Sequence, residues 1–152
     1  MITINLVCVG NLKEKFWREA QDEYVKRLGA FCKINVIEIA ERNNENSVNI
    51  TLEKEGKDIS SKSKGYTILM DRLGKNLSSE ELAKRIEDLS MQNSEISFII
   101  GSSNGVCEQI KHSSNEKISF GKNTFPHNLA RIMLLEQIYR AMMITNHRSY
   151  HK

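Results

Sequence analysis

Ile118-Ser-Phe-Gly-Lys-Asn-Thr-Phe-Pro-His127 takes the chain out of a short apolar strand, Lys117–Phe120, through a loop of small and polar residues, and into a long apolar helix beyond Pro126. Pro126 suits a first helical turn, where its missing N–H is one of the donors no helix satisfies, and Thr124 is placed to cap that turn. At about 100° per residue, Leu129, Ile132, Met133, Tyr139, Met143 and Ile144 share one broad arc, with Glu136 and Arg140 in its middle. Leu134, Leu135, Ile138 and Met142 form a second arc. A helix apolar on both sides predicts burial on both sides, in a core or a subunit interface. Glu136 stands four residues before Arg140, the order that favours an ion pair. Two charges among apolar neighbours are expensive to desolvate, so the pair predicts a functional or interfacial role.

Upstream, strands alternate with helices. Ile2–Val9 alternates toward Gly10, and Phe16, Ala20, Tyr24 and Leu28 recur at four-residue spacing, with Trp17 beside them, in a helix from Lys13 to Leu28 closed by Gly29. Cys32–Ile39 reads as a second strand, Glu41–Asn49 as a polar loop, Val48–Ile59 as a weaker helix and Ser60–Lys64 as a short solvated break. Tyr66–Met70 is a third strand, opening into Asp71–Lys75. Ser78 and Glu81 have the spacing of a capping box for a helix whose apolar face is Leu82, Ile86 and Leu89. Ile96–Ile100 is nearly all apolar, as a strand covered on both faces should be, and breaks into Gly101–Gly105 before a short helix through Ile110. The pattern predicts an α/β fold with a mainly parallel sheet and helices on both faces, built as one domain over residues 1–152. Ligands of such sheets bind beyond the carboxyl ends of the strands. Met70–Gly74, Gly101–Gly105 and Phe120–Phe125 are therefore expected to converge on one pocket.

Hydrophobic content of 39% and charged content of 27% predict a soluble globular protein, and a net charge of +3 is compatible with a nucleic-acid partner without requiring one. Cys8, Cys32 and Cys107 are odd in number and scattered, which predicts a reducing compartment, the cytoplasm, and no disulfide framework. Met1-Ile-Thr-Ile-Asn lacks the basic start of a signal peptide, and no apolar run approaches a membrane span. Gly101-x-x-x-Gly105 is neither the dinucleotide fingerprint nor a P-loop. Gly121-Lys-Asn-Thr124 offers amides and an ammonium before a helix, where a small polar or anionic group could sit. His147 and His151 have a zinc-compatible spacing but no further ligand nearby, so no metal is expected. His127 lies beside the pocket and reads as structural. The basic tail Thr145–Lys152 encloses Tyr150, a combination that suits RNA bases and phosphates.

Four stretches, Phe98-Ile-Ile-Gly-Ser-Ser-Asn-Gly105, Ile118–His127, Leu135-Glu-Gln-Ile-Tyr-Arg-Ala141 and the terminal Tyr150-His-Lys152, resemble in order and spacing the RlmH family, small SPOUT-class methyltransferases of ribosomal RNA. The opening strand ending at Gly10, Lys13-Glu-Lys-Phe-Trp17 and Tyr24-x-x-Arg-Leu28 are similar to that family's N-terminal pattern, so the resemblance covers the chain. It implies a SPOUT fold with a C-terminal trefoil knot, a homodimer and S-adenosylmethionine as methyl donor. It also implies methylation at N3 of a pseudouridine in helix 69 of 23S rRNA, on the assembled ribosome. The family's cofactor contacts fall on Met70, Gly101 and Phe120, Gly121, Lys122, Asn123, Thr124 and Phe125. The family commonly has Gly-Gly where this chain has Gly101-Ser102, and Ser-Lys where it has Gly121-Lys122; both are small-for-small exchanges.

Methyl transfer from a sulfonium is an in-line displacement, and the attacking nitrogen must lose a proton. Arg140 stays protonated and is no base. The expectation is that Arg140, oriented by Glu136, stabilises the developing anion, while Tyr150 and His151, reaching in from the partner subunit, position the nucleotide, with His151 the better proton acceptor. The alternative is a non-catalytic ribosome- or RNA-binding factor that kept the fold, for which the altered Gly101-Ser102 and Gly121-Lys122 loops speak. A third reading is a methyltransferase of a small metabolite.

Overall fold

The computed structural model describes residues 1–42 and 47–152. Five strands and five helices alternate: β1 (Thr3–Val9), α1 (Lys15–Leu28), β2 (Lys33–Ile39), α2 (Val48–Lys62), β3 (Tyr66–Asn76), α3 (Ser79–Gln92), β4 (Glu95–Ile100), α4 (Glu108–Ser113), β5 (Glu116–Ser119) and α5 (His127–Thr145). The predicted loop Glu41–Asn49 lies partly outside the described residues, and Val48 and Asn49 already belong to α2.

All strand pairs are parallel, in the order β2-β1-β4-β3-β5. Ile4, Leu6 and Cys8 stand opposite Ile96, Phe98 and Ile100, and all point toward the side covered by α1, α3 and α5. Val7, Val9, Leu69 and Ile99 point the other way, against Ile59 of α2 and Ile110 of α4. The period-2 alternation thus divides the core into two layers, one on each face. Crossovers toward the β2 edge carry their helices on one face and those toward the β5 edge on the other, which gives all four the single hand that parallel crossovers require. The helix after β4 lies on the opposite face from the helices after its neighbours β1 and β3, which opens a crevice at the carboxyl end of β4.

Local chemistry accounts for the elements. Ser78 Oγ accepts from the Glu81 N–H at 3.0 Å and Glu81 Oε1 accepts from the Ser78 N–H at 2.9 Å, closing the expected capping box on α3. The third strand runs six residues beyond Met70: both Met70 and Lys75 stand opposite Ile118, so Asp71–Gly74 leaves the ladder as an excursion before pairing resumes. Gly74 is required there, because a Cβ would lie 2.7 Å from the Ile118 nitrogen.

Three sequence expectations are corrected. Phe16 is not on the core face of α1: it is 61% exposed, and only Leu28 of that helix is fully buried. Pro126 sits at the cap position rather than inside the first turn, its carbonyl accepting from Ala130 N–H, and the Thr124 side chain makes no capping hydrogen bond. The first arc of α5 is only half-buried at Ile132, Met133 and Tyr139, whereas the second arc is fully buried. Among the described residues no helix is long and apolar enough to cross a membrane.

Candidate active site

The three strand ends do converge. Met70–Arg72 from β3, Gly101–Val106 from β4 and Ser119–Gly121 from β5 line one cavity of about 880 Å³, closed by Asn123–His127 at the start of α5. Of the eight positions that the resemblance gives to the cofactor, Met70, Gly101, Phe120, Gly121, Asn123, Thr124 and Phe125 line it; Lys122 does not, and its side chain is exposed. Two turns hold the walls. Ser102 C=O accepts from Gly105 N–H at 2.8 Å, with Gly105 at φ +82°, and Ser119 Oγ accepts from Gly121 N–H at 3.0 Å and donates to Gly121 O at 2.8 Å, with Gly121 at φ +124°. Both glycines occupy backbone that side chains rarely adopt. Ser119, buried in this staple, was not singled out from the sequence, where it reads as an ordinary strand residue.

The cavity fits a nucleoside-sized ligand in volume and in its mixed lining of Met70, Ile100, Phe120 and Phe125 with loop amides. Gly101 supplies the close approach: a Cβ there would lie 2.5 Å from Gly105 O and 2.7 Å from Val106 Cγ1. Gly101→Ala is expected to push this turn into the cavity at an overpacking cost of ~1–3 kcal/mol, weakening S-adenosylmethionine binding about tenfold or more in calorimetry. Ser102→Ala, which removes a hydroxyl with two long contacts, donating to Gly105 O at 3.4 Å and accepting from Asn104 N–H at 3.3 Å, should bind as wild type; equal affinity for both variants would remove Gly101 from the site.

A second constellation gathers on α5. Arg140 Nε and Nη2 both donate to Glu136 Oε1, at 3.0 and 2.6 Å, and Tyr150 OH donates to the same oxygen at 3.2 Å. Gln137 Nε2 donates to Glu136 Oε2 at 2.7 Å and is itself held by Ser79 Oγ, 2.7 Å from Gln137 Oε1. The Tyr150 ring covers the guanidinium at 4.8 Å. The hydrogen bond to Glu136 holds Arg140 more firmly protonated than usual, and burial together with the Glu136 charge pushes the Tyr150 phenol up, so neither is a base near neutrality.

The tail makes these contacts on its own chain. His151 Nδ1 lies 3.1 Å from Arg140 Nη1, and Nε2 lies 2.6 Å from Glu80 Oε1 on α3. A guanidinium only donates, so Nδ1 accepts and Nε2 carries the proton. Both ring nitrogens are then occupied, and His151 has no free lone pair in this arrangement. Glu80, which closes this chain of contacts, was missed in the sequence because it lies 71 residues from His151. The two constellations meet at Phe120, which lines the large cavity and also a smaller one of about 310 Å³ whose wall includes Glu136 and Tyr24.

Arg131 was also missed. It is 1% exposed, donates through Nη1 to Glu38 Oε2 at 2.7 Å and Gln21 Oε1 at 3.1 Å, and through Nη2 to Gly10 O at 3.1 Å, leaving Nε without a partner. One guanidinium thus ties the end of β1, the edge strand β2 and α1 to the first turns of α5. The next turn of backbone toward the cavity is His127, whose Nε2 would lie 3.7 Å from a Cβ on Gly10.

A family model described as "Predicted SPOUT methyltransferase" matches residues 2–151. A ribosomal RNA large subunit methyltransferase H of Fusobacterium nucleatum subsp. nucleatum is 44% identical, the alignment covering 99% of this chain and 100% of the relative. Proteins of the same name from Clostridium botulinum strains Kyoto and Hall are 44% and 43% identical over the same shares. With its parallel sheet, its crevice at the carboxyl ends of β3, β4 and β5, and this full-length likeness, the chain belongs to the SPOUT methyltransferase family and, within it, to the ribosomal RNA large subunit methyltransferase H group.

Proposed function

We propose that this chain is an S-adenosylmethionine-dependent methyltransferase of large-subunit ribosomal RNA, acting in the cytoplasm on N3 of a pseudouridine in helix 69 of 23S rRNA, on the assembled ribosome. The observation that supports the reading is the sharing of Phe120 between the nucleoside-sized cavity and the pocket that reaches Glu136, which brings the Glu136–Arg140 pair close to that cavity. The names of the full-length relatives support the substrate class. In this reading residues 1–152 form a single SPOUT domain, the loop Phe120–Phe125 belongs to a trefoil knot, and the half-buried arc Ile132, Met133 and Tyr139 is the face on which a homodimer closes.

S-adenosylmethionine, held by Met70, Gly101 and the loop from Phe120 to Phe125, supplies an electrophilic methyl group. Arg140, aligned by two hydrogen bonds to Glu136, donates through Nη1 to a carbonyl oxygen of the target base and stabilises the charge that builds on it as N3 loses its proton. That carbonyl takes the place of His151 Nδ1 on Nη1. The exchange frees the Nδ1 lone pair to accept the N3 proton, with Glu80 holding Nε2–H and offsetting the imidazolium charge. Tyr150 and Glu136 keep the guanidinium in place throughout.

The test is methyl transfer from labelled S-adenosylmethionine to ribosomes purified from cells lacking this protein, comparing the full chain with one ending at Asn146. Label in 23S rRNA with the full chain, falling by about a hundredfold or more without Tyr150 and His151, is expected. Cofactor binding without any label in ribosomal RNA would overturn the reading.

A further inference from the structure

The first turn of α1 carries an aromatic pair that the core does not use. Phe16 is 61% exposed, and its ring meets that of half-buried Trp17 at 5.0 Å between centroids and 51° between planes. A single exposed apolar side chain needs no explanation, but this pair is held in place. Arg18 Nη1 donates to Leu12 O at 3.0 Å and to Lys13 O, and Leu12 is buried, so the backbone leading into the helix is tied to its first turn. Cations surround it. The Lys13 side chain is exposed, and Lys15 is 82% exposed with only a loose contact to Glu19 at 3.6 Å. Lys13, Lys15 and Arg18 outnumber Glu14 and Glu19. The turn follows the carboxyl end of β1, where Gly10 approaches His127 of the cavity wall.

We infer that Phe16 and Trp17 form a stacking surface for unpaired bases of the RNA that carries the methylated nucleotide, with Lys13 and Lys15 against its phosphates. The inference rests on the ribosomal RNA reading above. Every base offers a π-face to a ring, and a surface of aromatic rings among lysines is what single-stranded RNA requires. A second copy of the chain is the less suitable occupant, because an isologous contact would bring the same cations face to face. A net charge of +3 gives little general attraction for RNA, so a local stacking surface with its lysines adds contacts that position one strand.

Trp17 is the only tryptophan of the chain, so its emission reports on this surface alone. Titrating the full chain with oligouridylate is expected to quench that emission saturably, and less strongly as salt is raised. Phe16→Ala should weaken this binding about tenfold, within the range that one base–aromatic stack contributes, and Phe16→Leu, which keeps apolar area without a ring plane, should not restore it. In methyl transfer, Phe16→Ala should raise KM for ribosomes about tenfold with kcat and S-adenosylmethionine affinity unchanged. Emission indifferent to RNA, with KM for ribosomes unchanged, overturns the inference. Emission that shifts with protein concentration alone, and a dimer that Phe16→Ala dissociates, overturns it in favour of a second copy. Quenching by oligouridylate with no methyl transfer by the wild type sustains the surface and defeats the ribosomal reading instead.

Discussion

Arg140→Ala is expected to lower methyl transfer to ribosomes by at least about a hundredfold while S-adenosylmethionine affinity stays within about threefold, because removing one preorganised donor from a developing anion costs roughly 10²–10³ in rate. The side chain is suited to that task by what surrounds it. Two of its N–H groups are spent on Glu136 Oε1, its face is covered by Tyr150, and Nη1 points to an acceptor, His151 Nδ1, that a substrate oxygen can replace. The pair is mostly buried, with 25% of Arg140 and 19% of Glu136 exposed, so the loss is read in kcat beside an unfolding control at the assay temperature. Arg140→Lys should recover little of the activity, since an ammonium cannot hold the two-bond geometry on Glu136 and still direct a donor at the base. A variant lacking the guanidinium that methylates ribosomes within threefold of wild type would move the anion-stabilising role elsewhere.

The contrast between Arg140 and Arg131 shows what a sequence can and cannot make visible. Both lie in the same apolar helix. Glu136 and Arg140 declare themselves because their partners are four residues apart on one helical face, and local periodicity is legible in a linear string. Arg131 finds Gln21, Glu38 and the Gly10 carbonyl at separations of 110, 93 and 121 residues, so its burial depends on how β1, β2 and α1 are stacked. The same division runs through the fold. Alternation of strand and helix gave the parallel sheet and its two-faced cover, and strand ends gave the cavity. The return of β3 to the ladder after Asp71–Gly74 depends on a tertiary register with Ile118 and could not be read locally. Phe16 was misplaced for a different reason: a four-residue spacing drifts by about 40° per step on a helix of roughly 100° per residue, so the run that ends at buried Leu28 begins at Phe16 about 120° away. In the candidate site, Glu136, Arg140, Tyr150 and His151 were named and are brought together, whereas Glu80 and Ser119 entered only through three-dimensional contacts.

Arg131→Met should lower the unfolding midpoint by about 5–10 °C, as read by calorimetry. Methionine keeps much of the side-chain volume, so the cavity cost is modest, and the change isolates the charge and its hydrogen bonds. Breaking a buried ion pair from one side costs ~3–5 kcal/mol when the remaining charge is trapped. Here Glu38 keeps 42% of its side chain exposed and can be rehydrated, whereas the Gly10 carbonyl loses a buried donor. The two considerations place the loss at ~2–3 kcal/mol, and a domain of this length shifts by roughly 2–4 °C for each kcal/mol. Arg131→Lys should fall nearly as far, because one ammonium cannot span Gln21, Glu38 and Gly10 from a single fixed position. The effect should reach the surface as well. With the guanidinium gone, the end of β1 is no longer tied to α5, and both the His127 wall of the cavity and the turn bearing Trp17 lose their common anchor. Trp17 emission and S-adenosylmethionine affinity should therefore change together in Arg131→Met at temperatures well below its midpoint. A variant that melts within about a degree of wild type, with both readouts unmoved, would show that packing alone holds β1, β2 and α1 against α5 and that the buried cation is dispensable.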